Sequence, residues 1–231
     1  MDREPRFPQE RYKQPLSDHA ARKEILENRE RLERRFYNAI GQGDHEEMRR
    51  LREQGLPPLL SASKPLHAAV WTDNVKTLSL LLEWGEDIDG CDAYGNSPLC
   101  EAILGGHLQV LDYLLQQGAD PHVFSANKMS GSMPEPGEPL LRQAVFCGEE
   151  WLTRQPVRVP GLCAGLACLF DRRPALLSEW EGVLHHILVV AHRAPDREQR
   201  WRLLVAEALR QRGRENLAVS LDSPFQEGGA G

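Results

Sequence analysis

The sequence lacks most of what marks a secreted scaffold, a membrane protein or a nucleic-acid binder. Cysteine is sparse and odd in number: Cys91, Cys100, Cys147, Cys163 and Cys168 are spread along the chain without a CxxC pair. A disulfide framework needs an even set at tight spacings, so these read as reduced thiols, and a cytoplasmic location is the expectation. No stretch approaches the ~18 apolar residues of a bilayer span; the most apolar one, Ile187 to Ala191, is far too short. The opening residues, MDREPRFPQERYKQP, have no apolar core of the kind a secretory signal requires. Basic charge is in deficit as well, with 28 Lys+Arg against 34 Asp+Glu and a net charge of −6. A nucleic-acid binder needs a basic stripe to neutralise phosphates, so nucleic acid is not an expected partner, nor is a membrane.

What is present is a globular chain with an internal repeat. Hydrophobic residues make up 41% of it, enough to exclude wholesale disorder. Lys64-Pro65-Leu66-His67-Ala68-Ala69-Val70 aligns with Ser97-Pro98-Leu99-Cys100-Glu101-Ala102-Ile103 at an offset of 33 residues. The offset persists through Asn74/His107, Leu78/Leu111, Leu81/Leu114, Leu82/Leu115, Gly85/Gly118 and Asp87/Asp120. Pro65 and Pro98 suit the first turn of a helix, where the missing N–H costs nothing. A second helix in each unit carries leucines at i, i+3, i+4 spacing, closed by Gly85 or Gly118 in the conformation a helix end needs. Asp92 to Asn96 has the chemistry of a turn.

These motifs resemble the ankyrin repeat. Ala93-Tyr94-Gly95-Asn96-Ser97-Pro98-Leu99, then Gly106-His107 and Leu114-Leu115-Gln116-Gln117-Gly118-Ala119-Asp120, follow that family's signature. Lys64 and Ser97 stand where the family prefers Thr, and Cys100 replaces the His that the preceding unit keeps as His67, so the local Thr–His hydrogen bonding is expected to be incomplete. Two flanking units are more degenerate. One begins at Phe36, and the other spans Leu140 to Gly148 beyond an insertion, Ser125 to Glu138, rich in Gly, Pro and Ser. The second helix of that last unit is cut short by Pro156. The resemblance implies an all-α solenoid of helix-turn-helix units with hairpin loops.

The expected organisation is a disordered stretch over 1–17, a repeat domain with an N-terminal capping helix over 18–156, a helical segment over 157–213 and a disordered tail over 214–231. Ile25, Leu32, Phe36 and Ile40 give the capping helix one apolar stripe. In the third segment, Gly161 to Phe170 is apolar throughout and should be buried. Helices open near Pro174 and Pro195, and Gly213 can end the second.

Catalytic chemistry is hard to find. His185, His186, His192 and Glu181 with Cys163 and Cys168 superficially suggest a metal cluster, but the spacings fit no zinc motif, and His185 and His186 point to different helix faces. Asp87-Ile88-Asp89-Gly90-Cys91-Asp92 lacks the full ligand set of a calcium loop. Cys147 and His107 have no nucleophile motif around them. The arginines 197, 200, 202, 210, 212 and 214 are interspersed with acids and read as a solvated helix face. No enzyme, cofactor or metal is expected.

The expectation is a protein-binding surface. In ankyrin repeats recognition uses hairpin tips and the end of the inner helix, on the concave side. Carried onto this chain, that position is Gly41, Trp71, Leu104 and Phe146 in successive units, with Thr72 beside Trp71. Three of the four are large and apolar where periodicity does not demand it. Rimmed by the hairpin residues Ser63, Tyr94 and Asn96, they compose a candidate site for another protein. The function expected is therefore a non-enzymatic interaction module, acting as adaptor, inhibitor or regulator. The alternative is an enzyme or metal site in 157–213, with the repeats as a targeting device.

Overall fold

In a computed structural model of the chain, the described residues are 19–55, 64–92, 95–123, 139–191 and 194–222; they are helical, with no strand among them. Three successive helix pairs form the repeat array. The first pairs α1 (His19–Gln42) with α2 (His45–Glu53). The second pairs α3 (Pro65–Trp71) with α4 (Val75–Glu83), and the third α5 (Pro98–Gly105) with α6 (Leu108–Gln116). α3 packs between α1 and α5, and α4 against α6, so each unit buries its apolar face on the next.

The local reasons follow from the sequence. Pro65 and Pro98 occupy the first turns of α3 and α5. Asp44 and Asn74 cap α2 and α4 by accepting the amides of Glu47 and Thr77. Leu78, Leu81, Leu111 and Leu114 are fully or almost fully buried, giving the outer helices their inward stripe. Gly85 and Gly118 each adopt φ +90, which only glycine does without strain, and turn the chain back into the hairpin. The expected capping helix, running on through Phe36 to about Ile40, is α1, with Phe36, Ala39 and Ile40 buried towards α2 and α3. The side chain of Ile25 lies outside the described residues.

After the third unit the pattern changes. α7 (Pro139–Arg154) runs straight through Gly148, where the repeat would turn, and ends before a short 3-10 turn at Pro156–Arg158. The residue after that glycine is Glu149, a helix former, where the earlier units place the caps Asp44 and Asn74. Gly148 serves another purpose: a Cβ there would meet the ring of Trp201 at 2.5 Å. The next helix, α8 (Val159–Arg172), takes the place of a fourth unit by packing across both α5 and α6. It does so through Gly161 and Gly165, which approach the backbone of Gly106 and Ile103 closely enough that a Cβ on Gly165 would lie 2.6 Å from the Ile103 carbonyl oxygen.

α9 (Ala175–His185) continues into a wider π-helical turn, His186–Ala191, and α10 (Pro195–Gln211) ends at Gly213. One expectation needs correction here. The tail from Arg214 is not unstructured throughout: α11 (Glu215–Asp222) folds back on α10 and buries Ala218 and Leu221. Its anchor is Arg202, 1% exposed, which donates to the carbonyl oxygens of Ser220 and Leu221, both at 3.3 Å, and pairs with Glu181 at 2.7 Å. The expected disorder of 1–17 and of the last residues falls outside the described residues, as does the 125–138 insertion.

Candidate partner-binding surface

The end of α3 and the middle of α7 carry the two exposed aromatic side chains among the described residues. Trp71, the last residue of α3, is 52% exposed, and Phe146 on α7 is 48% exposed. Leu104, in register between them on α5, is half-buried against the core, and Gly41 is exposed. Burying a large aromatic on a partner removes more apolar surface from water than most side chains can offer. Trp71 is not loose: its ring meets that of His107 edge-on, centroids 5.5 Å apart.

Two other candidate residues are engaged in holding the scaffold. The Thr72 hydroxyl donates to the Ala69 carbonyl oxygen at 2.8 Å, finishing α3. Asn96 organises the hairpin. Its amide donates to Asp92 Oδ1 at 2.9 Å, its carbonyl oxygen lies 3.0 Å from His67 Nε2, and its side-chain oxygen accepts from the Cys100 thiol at 3.9 Å. Ser63 and Tyr94 lie outside the described residues. Ser97 keeps the cap expected of a Thr, accepting the Cys100 amide at 3.2 Å, whereas Lys64 supplies none. His67 accordingly keeps its bond to the next hairpin but leaves Nδ1 buried without a hydrogen-bond partner.

Sequence reasoning missed the group beneath Trp71. Glu101 is 8% exposed, and burial, aided by Asp92, pushes its carboxyl up to about 7, against a hydrogen bond from the Trp71 side chain. His67 is pushed below the ordinary imidazole range, mainly by burial, so it is held neutral. The only sequence signal was the acidic residue directly before Ala102, on an inner helix that is otherwise apolar.

The other candidate chemistry resolves into structural bonding. Asp89 Oδ1 accepts the amide of Asp120 in the next hairpin at 3.0 Å, and Asp87 Oδ1 accepts that of Asp89 at 3.1 Å. Burial raises the Cys147 thiol above its ordinary range, and Gln143 donates to its sulfur; His107 faces Trp71 instead. Cys163 is buried and pushed up to about 12. His185 pairs with Glu198 at 3.3 Å, but among the described residues no three potential ligands converge within 157–213. The terminal arginines are held by acids: Arg197 by Glu149, Arg210 by Glu215 and Asp222, Arg212 and Arg214 by Asp171.

Comparison with known proteins agrees with the repeat geometry. Residues 36–125 match the family model described as ankyrin repeats, in three copies, coinciding with the three helix pairs of α1 to α6. This part of the chain is built as ankyrin repeats, helix pairs stacked into a solenoid. Protein phosphatase 1 regulatory subunit 27 of Homo sapiens is 35% identical over 89 residues, 37% of this chain and 58% of that protein, and its Mus musculus counterpart matches equally. The 2-5A-dependent ribonuclease of Mus musculus is 37% identical over 67 residues, 29% of this chain and 9% of that protein. The matches thus span little more than half of the one relative and less than a tenth of the other. No described helix is long and apolar enough to cross a membrane.

Proposed function

We propose that the chain is a non-enzymatic regulator or adaptor that docks a protein partner on the face bearing Trp71, Leu104 and Phe146. The observation that carries this reading is the pair of half-exposed aromatics at equivalent inner-helix positions, in a molecule whose other tryptophans are buried or half-buried. Exposed aromatic anchors on a rigid frame lose little conformational entropy when covered and are the usual energetic centres of interfaces. Thr72, Asn96, Ser63 and Tyr94 rim the site in this reading, and a reduced cytoplasmic setting suits five free cysteines. The likeness to a phosphatase regulatory subunit supports regulation over the alternative, an enzyme or metal site in 157–213.

Affinity capture from native cytosol tests it, comparing wild type with a folded chain carrying Trp71→Ser, Leu104→Ser and Phe146→Ser. The catalytic subunit of protein phosphatase 1 is the first purified candidate to assay. A partner held by the wild type and lost from the variant is expected; identical capture by both would move the binding surface elsewhere.

A further inference from the structure

His67, Asp92 and Glu101 are far apart in sequence and meet at the junction of the second and third repeats. His67 comes from α3, Asp92 from the hairpin and Glu101 from α5, and each offers a ligand atom within 4.8 Å of the others. Two of the three are nearly sealed from solvent, His67 at 2% exposure and Glu101 at 8%. Each of these two holds a buried polar atom without a hydrogen-bond partner, Nδ1 of His67 and Oε2 of Glu101. A buried polar atom left without a partner bears its full desolvation penalty, so both atoms favour a ligand that accepts their lone pairs.

The tautomer is fixed by geometry. Nε2 of His67 lies 3.0 Å from the carbonyl oxygen of Asn96, and a carbonyl only accepts. Nε2 therefore carries the proton, and Nδ1 presents a lone pair. A carbonyl that accepts from the far ring nitrogen is the usual support of a metal-bound imidazole. Asp92 is held in the same way, its Oδ1 accepting the Asn96 amide. One residue, Asn96, thus orients two of the three donors.

We propose that His67, Asp92 and Glu101 form a site for a divalent first-row transition cation, with Zn²⁺ as its representative. One neutral imidazole and two carboxylates offset a 2+ charge and make the nitrogen–oxygen donor set such ions accept. Three protein ligands leave the fourth tetrahedral position open to water or to a partner's donor. Tetrahedral donors around zinc lie about 3.3 Å apart, so the side chains need to close by at most about 1.5 Å on binding, within reach of carboxylate rotation. Lys64 opposes the ion, but it is the smallest of the influences on His67. Sequence spacing could not reveal this site, because no two of its ligands share an element.

The test uses the full chain, stripped of metal and kept reduced, titrated with zinc chloride by calorimetry beside Glu101→Gln and Asp92→Asn. Glu101→Gln removes a buried charge at constant shape, so helical circular dichroism should be retained. Wild type is expected to show saturable binding and a rise in Tm with zinc; each variant should bind roughly tenfold to a hundredfold more weakly and show no matching rise. Cobalt(II) in place of zinc should give visible d–d bands without a thiolate charge-transfer band in the near ultraviolet. The absence of saturable binding, its survival in both variants, or a thiolate band placing the ion on Cys91 or Cys100 would each overturn the assignment.

Discussion

The amide of Val110 donates to Oδ1 of Asp73 at 3.2 Å, so the second repeat caps an outer helix belonging to the third. α6 has no cap of its own, because His107 stands where Asp44 and Asn74 serve the earlier units. Asp73 reaches across from a position that is glycine in the other two units, Gly43 and Gly106, and adopts φ +48 to do so. A non-glycine residue in that region carries strain of about 1 kcal/mol, and a cap contributes about 1 kcal/mol. The two terms nearly offset.

Asp73 substitutions should therefore separate them. Asp73→Ala keeps the strain and loses the cap, and is expected to destabilise the chain by about 1–2 kcal/mol. Asp73→Gly loses the cap but relieves the backbone, and should fall within about 0.5 kcal/mol of wild type. Urea denaturation of both variants decides the matter; equal losses would mean that Asp73 does not bridge the repeats.

Close backbone approach at the end of the array makes a second prediction. A Cβ on Gly165 would sit 2.6 Å from the Ile103 carbonyl oxygen and 3.0 Å from its Cα, and neither atom can swing aside. Gly165→Ala should cost about 1–3 kcal/mol as α8 is pushed off α5. Gly182, inside α9, has no heavy atom within 4 Å of its ideal Cβ. Gly182→Ala should instead stabilise by roughly 0.5–1 kcal/mol. Thermal melts of the pair give opposite signs if α8 docks through its glycines.

Repetition is why the first three units were legible: proline, leucine and glycine recur at a fixed offset, and each has one mechanical duty. The fourth unit shared the apolar pattern of an inner helix, and only Glu149 in the cap position betrayed that the helix would continue. Gly161 and Gly165 stand four residues apart in an apolar run, but nothing local says which surface such a pair meets. Leu217, Ala218 and Leu221 likewise have helical spacing, obscured by polar neighbours. The exposure of Trp71 and Phe146 followed from register, whereas Leu104 in the same register is half-buried against the core. The cluster beneath Trp71 did not, because it exists only once two repeats are stacked.

The Arg202 anchor makes α11 part of the fold. Leu221 is fully buried, and Leu221→Ala should cost about 2–4 kcal/mol. Burial raises the Glu181 carboxyl above its ordinary range, and Arg202 works against that rise. Removing the guanidinium strands a half-buried carboxylate, so Arg202→Met should cost about 3 kcal/mol. Adding Glu181→Gln should recover part of that loss, a non-additivity that a double-mutant cycle in guanidinium chloride measures. Strict additivity would show that the pair is incidental.

Glu101 sets a pH dependence whose sign is opposite to that of an ordinary ion-paired carboxylate. Its folded carboxyl is raised from 4.5 to about 7, so between those values the folded chain holds a proton that the unfolded chain releases. Stability from this group is fully present below pH 4.5, declines as the pH rises and is lost above 7, a span of about 3 kcal/mol. Other groups titrate in the same range, so the quantity to measure is the difference from Glu101→Gln, in the presence of EDTA so that no divalent metal contributes. The glutamine cannot ionise, and its advantage over wild type should grow from pH 4.5 to pH 7 and then level off. A difference that stays constant over that interval would show that the carboxyl beneath Trp71 ionises as an exposed one does.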